Sequence, residues 1–477
     1  MNLQYPPNRN ARPGVIATAA LLLAALATGC ATQPMDSKTV AATANPPAQW
    51  QAPLPHGGSI TDLNQWWKSL GDPVLMELID AAQSVSPTIA SARSRIVQAR
   101  ATLTGAQSAN APQLNGSLSA QRGVNSTSTT AATLLQGSLD ASWEVDLFGG
   151  NRQSANAAVA RLDGANAGWH EARVSVAAEV ANQYFNLRTC RELVGVLQSD
   201  TQSRRETARL TDLTAKAGFT APATAALAAA SASESNARTV QQQAQCDSAV
   251  KALVALTAMD EPTLRQRLKN TAADSSPKAM PSVAVLPAAL LSQRPDVYAA
   301  EREVAAASAD IGSAQAQRYP RLTIGGSVGT LNFTNYAGTT DLNTWSIGPV
   351  SLTVPLFDGG RRVANVEAAT AKYEEAAVLY HAKVRQAVRE VEDALLSLAS
   401  TDARKEDAAA ARNGYATSFE ATRARFAAGS ASLPELEDAR RSLLGAQNTL
   451  LQLELERTTA WINLYRALGG GWAANAN

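Results

Sequence analysis

From Leu135 to Leu147 the chain alternates without interruption. Leu135, Gly137, Leu139, Ala141, Trp143, Val145 and Leu147 are apolar or small, while Gln136, Ser138, Asp140, Ser142, Glu144 and Asp146 are polar. Side chains on a strand point to opposite faces in turn, so this segment is a strand with one dry and one wet face. No other feature constrains the fold as much, because the surrounding sequence is rich in alanine and reads as helix. Aromatic residues make up only 5% of the chain, which suits long, closely packed helices better than a globular core of large side chains.

The pattern is written twice, at an offset of about 208–212 residues. NAPQLNGSLSA (110–120) corresponds to RYPRLTIGGSV (318–328), pairing Pro112 with Pro320 and Leu114 with Leu322. VDLFGGNR (145–152) corresponds to VPLFDGGR (354–361), pairing Phe148 with Phe357, and AKAGFTAPA (215–223) resembles FAAGSASLPE (426–435). Each half reads as a leading helix, two strands and a helical hairpin. Strands are expected over 113–124, 134–147, 320–332 and 343–356, with loops such as VNSTSTTAAT (124–133) between them. These lengths suffice for a tilted strand to cross a bilayer, which takes about 9–11 residues. In the fourth strand Trp345 and Ile347 share one parity and Val350, Leu352 and Val354 the other, so a bend is expected at Pro349. Four strands cannot close a barrel in lipid, where the smallest have about eight, so the barrel must be shared between subunits.

The helical segments carry heptads. Leu436, Leu443, Leu450 and Leu464 recur at sevens, with Arg457 interrupting; in 360–400 Val363, Thr370, Ala377, Val384, Val391 and Leu398 form one row and Val366, Tyr373, Tyr380, Ala387 and Ala394 the other. Sustained heptads with many small residues imply close coiled-coil packing.

The N-terminus is a targeting segment. Arg9 and Arg12 precede a short apolar run, residues 15–27, that is too short to span a bilayer as a helix, which takes about 20 residues. It ends in ATGC, a lipobox-like site at which residues 1–29 are removed and Cys30 becomes lipid-modified, carrying palmitate. Ala27 stands where leucine is usual, and ordinary signal cleavage beside an incidental cysteine is the alternative. Alanine at 31, rather than aspartate, suggests onward transport to the outer membrane.

Little points to chemistry. The formal charge of +1 implies no nucleic-acid partner. His56, His170 and His381 are scattered without metal-ligand spacing, and no phosphate loop or nucleophile elbow appears. No catalytic residue, metal or cofactor is expected. Cys190 and Cys246 lie at equal distances from Gly218, the turn of the first hairpin, so they stand level across it; they form a disulfide or remain two buried thiols. Arg294, Pro295 and Asp296 read as a helix start, with proline pre-setting the first turn and Asp296 complementing the helix dipole.

Four stretches, WWKSLGDPVLMELIDAA (66–82), LLSQRPDVYAAE (290–301), VPLFDGGRR (354–362) and NLYRALGGGW (463–472), resemble the outer-membrane efflux channel lipoproteins of the TolC/OprM type, in the NodT-like branch. The likeness runs from Trp66 to Trp472. Gln293 and Tyr298 depart from the family's usual arginines, and VSPT (85–88) replaces a common Asn-Pro-Asp.

The resemblance implies a membrane α+β protein: a homotrimer with a 12-stranded outer-membrane β-barrel, four strands per protomer, continuing into a periplasmic α-helical coiled-coil barrel. The expected organisation is signal peptide 1–29, lipid-anchored linker 30–70, first repeat 71–270, linker 271–286, second repeat 287–468 and tail 469–477. The partners implied are outer-membrane lipid, a periplasmic adaptor (membrane fusion) protein and a proton-driven inner-membrane pump, with the chain as passive exit duct for drugs or other small toxic molecules. Protein secretion on the same fold and a poreless periplasmic scaffold are the rival readings. The resemblance also places Glu435 and Asp438 near the periplasmic opening, where three inward carboxylates would form a gate. For Glu435 a helix-capping role competes, since SLPE (432–435) is a capping-box sequence. Phe426 stands where some relatives carry a tyrosine.

Overall fold

The computed structural model describes residues 66–125, 128–269 and 294–472, with a few positions between 40 and 52. Cys30 and the targeting segment lie outside the described residues. The elements are α1 (Pro73–Val85), α2 (Pro87–Ser108), β1 (Gln113–Asn125), β2 (Ser128–Val145), α3 (Gly150–Lys216), α4 (Pro222–Thr257), α5 (Glu261–Lys269), α6 (Pro295–Ala316), β3 (Arg321–Asn335), β4 (Gly338–Thr353), α7 (Arg361–Ala427) and α8 (Leu433–Ala467). They divide into two compact units. One comprises residues 99–161 and 303–377, and the other 41–98, 162–302 and 378–477, in each case among the described residues.

The first unit is built on one antiparallel sheet in the order β1-β2-β3-β4. The strands are longer toward the hairpins than the alternation predicts. β2 starts at Ser128 within the stretch expected as loop, and β3 and β4 are joined by Tyr336 and Ala337 alone. The reason is chemical: β-branched Thr is at home in strands but carries no apolar alternation to reveal one. The phase change in β4 is a register shift, with Ile324 opposite Val350 but Gly326 opposite Ile347, and the Gly348–Pro349 peptide is cis. Gly329 is required by close approach, since a Cβ there would lie 2.7 Å from the Gly137 carbonyl oxygen of β2. Below the sheet, α3 and α6 meet through Ala157, Ala160, Ala306 and Ala309, with the Ser154 and Ser313 hydroxyls bonded at 2.8 Å and Arg161 paired to Glu303 and Asp310.

The second unit is helical. Its core gathers Leu75, Leu78, Val180, Tyr184, Leu187, Leu253, Leu395, Leu398, Trp461 and Leu464. In this unit the heptad rows of α7 are buried, Val384, Val391 and Leu398 and beside them Tyr380, Ala387 and Ala394, whereas nearer the start of α7 Val363 is exposed; on α8 Leu436 and Leu464 are buried and Leu443 and Leu450 only partly so. Trp66 stacks on Tyr465 with ring centroids 4.8 Å apart. Asp72 caps α1 by accepting the Val74 and Leu75 N–H groups at 3.0 and 3.2 Å, and its other oxygen accepts the Tyr184 hydroxyl at 2.5 Å. Pro295 opens α6. Arg294 reaches both oxygens of Asp296, Glu390 at 2.8 Å and the Ala467 carbonyl at 2.8 Å, so it joins α6, α7 and the end of α8. Among the described residues no helix is long and apolar enough to cross a membrane.

Candidate channel lining and helical tip

Cross-strand partners share a face, so the register sorts the sheet's side chains without further assumption. Ser117, Ser138, Asp140, Glu144, Ser327 and Ser346 fall on one face. They bond among themselves: Ser117 and Ser138 at 2.8 Å, the Ser138 hydroxyl to Asp140 at 2.7 Å, Ser327 and Ser346 at 2.8 Å. The other face carries Leu114, Leu118, Leu139, Trp143, Val328, Trp345 and Val350, all exposed in the protomer. Such a sheet is stable with its acidic face in water and its apolar face in lipid. Each of β1 and β4 is paired on one side only, leaving two edges.

Where strands hand over to helices, the two repeats meet different surroundings. Phe148, after β2, stacks on Tyr319 with centroids 4.8 Å apart and planes 15° from parallel. Its counterpart Phe357, after β4, is 94% exposed, and the neighbouring Leu356 is 91% exposed.

In the helical unit, Gly429, at φ +74°, turns α7 into α8. Ser432 and Glu435 form a reciprocal capping box: the Ser432 hydroxyl accepts the Glu435 N–H at 3.4 Å, and the Glu435 carboxylate accepts the Ser432 N–H at 2.6 Å. The Ser432 N–H and hydroxyl hold the Glu435 carboxyl below the usual carboxylate range. Asp438, one turn on, is exposed and pairs with Arg441 at 3.3 Å. The two acids sit in different settings, one engaged in the cap and the other exposed and paired with Arg441.

Beside them lies a buried ionic junction that the sequence pattern does not announce. Arg440 donates to Glu437 at 2.6 Å, to the Ser203 hydroxyl at 3.1 Å and to the Thr207 hydroxyl at 3.3 Å, and its Nε lies 3.7 Å from Asp200. Arg204 donates to Asp200 at 2.8 Å and also to Glu437 and Ser231. Two arginines and two carboxylates thus balance while joining α3 and α4 to α8. Burial pushes the Arg440 guanidinium down from its ordinary value, and the carboxylate of Glu437 opposes the shift. The available signals are the i,i+4 spacing of Asp200 and Arg204 and the i,i+3 spacing of Glu437 and Arg440, both of which also occur on ordinary solvated faces.

Cys190 and Cys246 are joined, their Cα atoms 5.7 Å apart on α3 and α4. Among the described residues no cluster of three or more His, Cys, Asp or Glu side chains could hold a metal ion.

Residues 78–259 and 286–470 match the outer membrane efflux protein family. The pyoverdine export outer membrane protein OpmQ of Pseudomonas aeruginosa is 29% identical over 470 residues, spanning 96% of each chain. The solvent efflux pump outer membrane protein SrpC of Pseudomonas putida is 27% identical over 452 residues, 90% of this chain and 93% of that one. The crystal structure of the Campylobacter jejuni CmeC outer membrane channel superposes with a TM-score of 0.78 at 23% identity, covering 88% of this chain and 90% of that one.

Proposed function

Since the chain belongs to the outer membrane efflux protein family, and is therefore an outer-membrane channel protein, we propose that three copies form the exit duct of a tripartite pump for drugs or other small toxic molecules. The observation that carries this reading is the four-stranded sheet with an apolar outward face, an acidic inward face and two unpaired edges. An open edge in lipid leaves a row of N–H and C=O groups unsatisfied at several kcal/mol each. Pairing β1 of one copy with β4 of the next removes both edges, and three copies make twelve strands. The nearly bare Leu356 and Phe357 support the same closure, because the equivalent Phe148 is covered within its own chain.

The acceptor for lipidation is Cys30. An adaptor protein and a proton-driven inner-membrane pump supply selection and energy, so the duct needs no active site of its own. Relatives named for pyoverdine export and for solvent efflux argue that cargo is chosen elsewhere in the assembly. Asp438 is the gate acid in this reading, with Glu435 tied to the cap.

The test is made on purified protein in mild detergent and in planar bilayers. A trimer that survives SDS without heating and conducts ions is the expected result, and a stable monomer without conductance overturns the proposal. Asp438→Asn is expected to raise conductance or alter ion selectivity; if it does neither, Asp438 is removed from the gate while the duct stands.

A further inference from the structure

Toward the β3–β4 hairpin the two faces of the sheet exchange chemistry. On the inward face, Leu134 stands directly opposite Phe333 and Leu331 opposite Leu342, continuing the rows that lower down carry Ser138, Asp140 and Ser327. On the outward face at the same level Leu135 of β2 stays apolar, but across β3 and β4 the face turns polar: Asn332, opposite Leu135, donates to Asp341 at 2.6 Å and the Thr334 and Thr339 hydroxyls bond at 3.1 Å, where lower down the row is Val328, Ile324 and Leu322. Asn332 and Asp341 would be costly in hydrocarbon, so this end of the sheet projects beyond the lipid into water. Inward-facing leucines there touch neither lipid nor a core, and Leu342 is half exposed. An apolar patch facing water on both counts is unfavourable for one copy alone. Three such patches facing one another would line the lumen with apolar surface and narrow the wettable path.

We infer that Leu134, Leu331, Phe333 and Leu342 form an apolar collar at the extracellular mouth of the duct, a desolvation barrier that slows water, ions and charged solutes while uncharged or amphipathic cargo crosses it. The inference rests on the proposal that three sheets close around a water-filled lumen. Hydrophobic constrictions gate by losing their water, and the barrier depends on the polarity of the lining as well as its width. The collar belongs to the exit end, since β3 and β4 meet the helices at their opposite ends. It is built from residues other than the carboxylates near the α7–α8 turn.

The test reads accessibility from outside intact cells, using the full chain and a charged maleimide dye too large for general porins. Ser327→Cys puts a thiol on the inward face below the collar, and Asp341→Cys puts one on the outward face at its level. The native pair Cys190 and Cys246 is joined and does not compete. With the leucines in place, the thiol at 327 should react slowly and the one at 341 fast. Leu331→Asn with Leu342→Asn keeps side-chain size nearly constant and should speed reaction at 327 by roughly tenfold or more. Leu331→Ile with Leu342→Ile should leave it slow. Equal rates at 327 in the native and asparagine backgrounds overturn the collar and leave the duct intact. If 327 reacts in no background while 341 does, the inward face is not a lumen, and the duct proposal fails together with the collar. Labelling at 341 reports that each variant has assembled at the cell surface.

Discussion

Replacing Arg440 with methionine keeps the aliphatic stem but removes a buried cation whose guanidinium carbon lies 5.5 Å from the centroid of the Phe419 ring. Arg440 is 3% exposed at its side chain and holds Glu437 at 2.6 Å, with Asp200 at 3.7 Å. Without it, two carboxylates share Arg204, and the junction turns from balanced to net negative in a poorly solvated place. Breaking a buried pair from one side costs about 3–5 kcal/mol, and because Arg204 still serves both acids the loss should fall at the lower end, about 3 kcal/mol. Channels of this kind do not unfold reversibly, so the readout is local: hydrogen exchange of the α8 amides around Glu437 and the α3 amides around Asp200. At tenfold per 1.4 kcal/mol, those amides should exchange roughly 100-fold faster. Arg441→Met is the internal control. Its side chain is 78% exposed and its pair with Asp438 is a surface one, worth about 0–1 kcal/mol. The reasoning is refuted if Arg440→Met exchanges no faster than Arg441→Met. It also requires that Arg440→Met combined with Glu437→Leu recover much of the protection, because the remaining Arg204–Asp200 pair is balanced again.

Gly329→Val should prevent β2 and β3 from pairing, given the 2.7 Å approach of the Gly137 carbonyl to a Cβ at that site, and should abolish the SDS-resistant oligomer on unheated gels. Normal oligomer yield would show that the strands can part without loss. The Cys190–Cys246 bridge spans 56 residues, and on the chain-entropy account its removal costs about 4 kcal/mol at most. The doubly substituted chain, Cys190→Ser with Cys246→Ser, should therefore lose structure at lower temperature, whereas identical melting with and without the bridge would deny it any staple role. Because the Glu435 carboxyl lies below its unfolded value, the capping box is fully formed above the unfolded carboxyl pKa, about 4.3, and is lost as pH falls through the lower folded value. Protection of the first α8 amides, corrected for intrinsic exchange, should hold down to about pH 4.3 and drop as pH falls further in the native chain but stay flat in Glu435→Gln.

What the sequence discloses is what periodicity can carry. The parity of Leu135 to Val145 marks the wet and dry faces of β2, and heptads mark Val384, Val391 and Leu398 as a buried row. Both signals depend on contrast between neighbouring side chains. Where contrast fades, so does legibility: the threonines that lengthen β2 looked like loop, and the exchange of faces near Leu331 is visible only once pairing shows which residues stand together. The ionic junction was hidden for a different reason. Asp200 and Arg440 are separated by most of the first hairpin and the whole second sheet segment in sequence, and nothing local distinguishes a buried arginine from a solvated one.

The duplication sharpens the point. Phe148 and Phe357 occupy the same place in matching motifs, VDLFGGNR and VPLFDGGR, so the pattern assigns them one role. In a single copy they differ, Phe148 half-buried and stacked on Tyr319 and Phe357 almost wholly bare. A tyrosine does not recur one repeat earlier, where Ala111 stands in the place of Tyr319. Whatever covers Phe357 must therefore be shaped by an alanine and the Pro112 turn rather than by a ring, which in a closed assembly means the start of β1 in the next copy. Phe357→Ser should then weaken assembly while sparing the fold of the protomer, and Phe148→Ser should do the reverse, loosening the packing of β2 against β3 within one chain. Equal effects of the two substitutions on trimer survival in SDS would mean that the repeats are equivalent after all, and that the bare surface around Phe357 is not where copies meet.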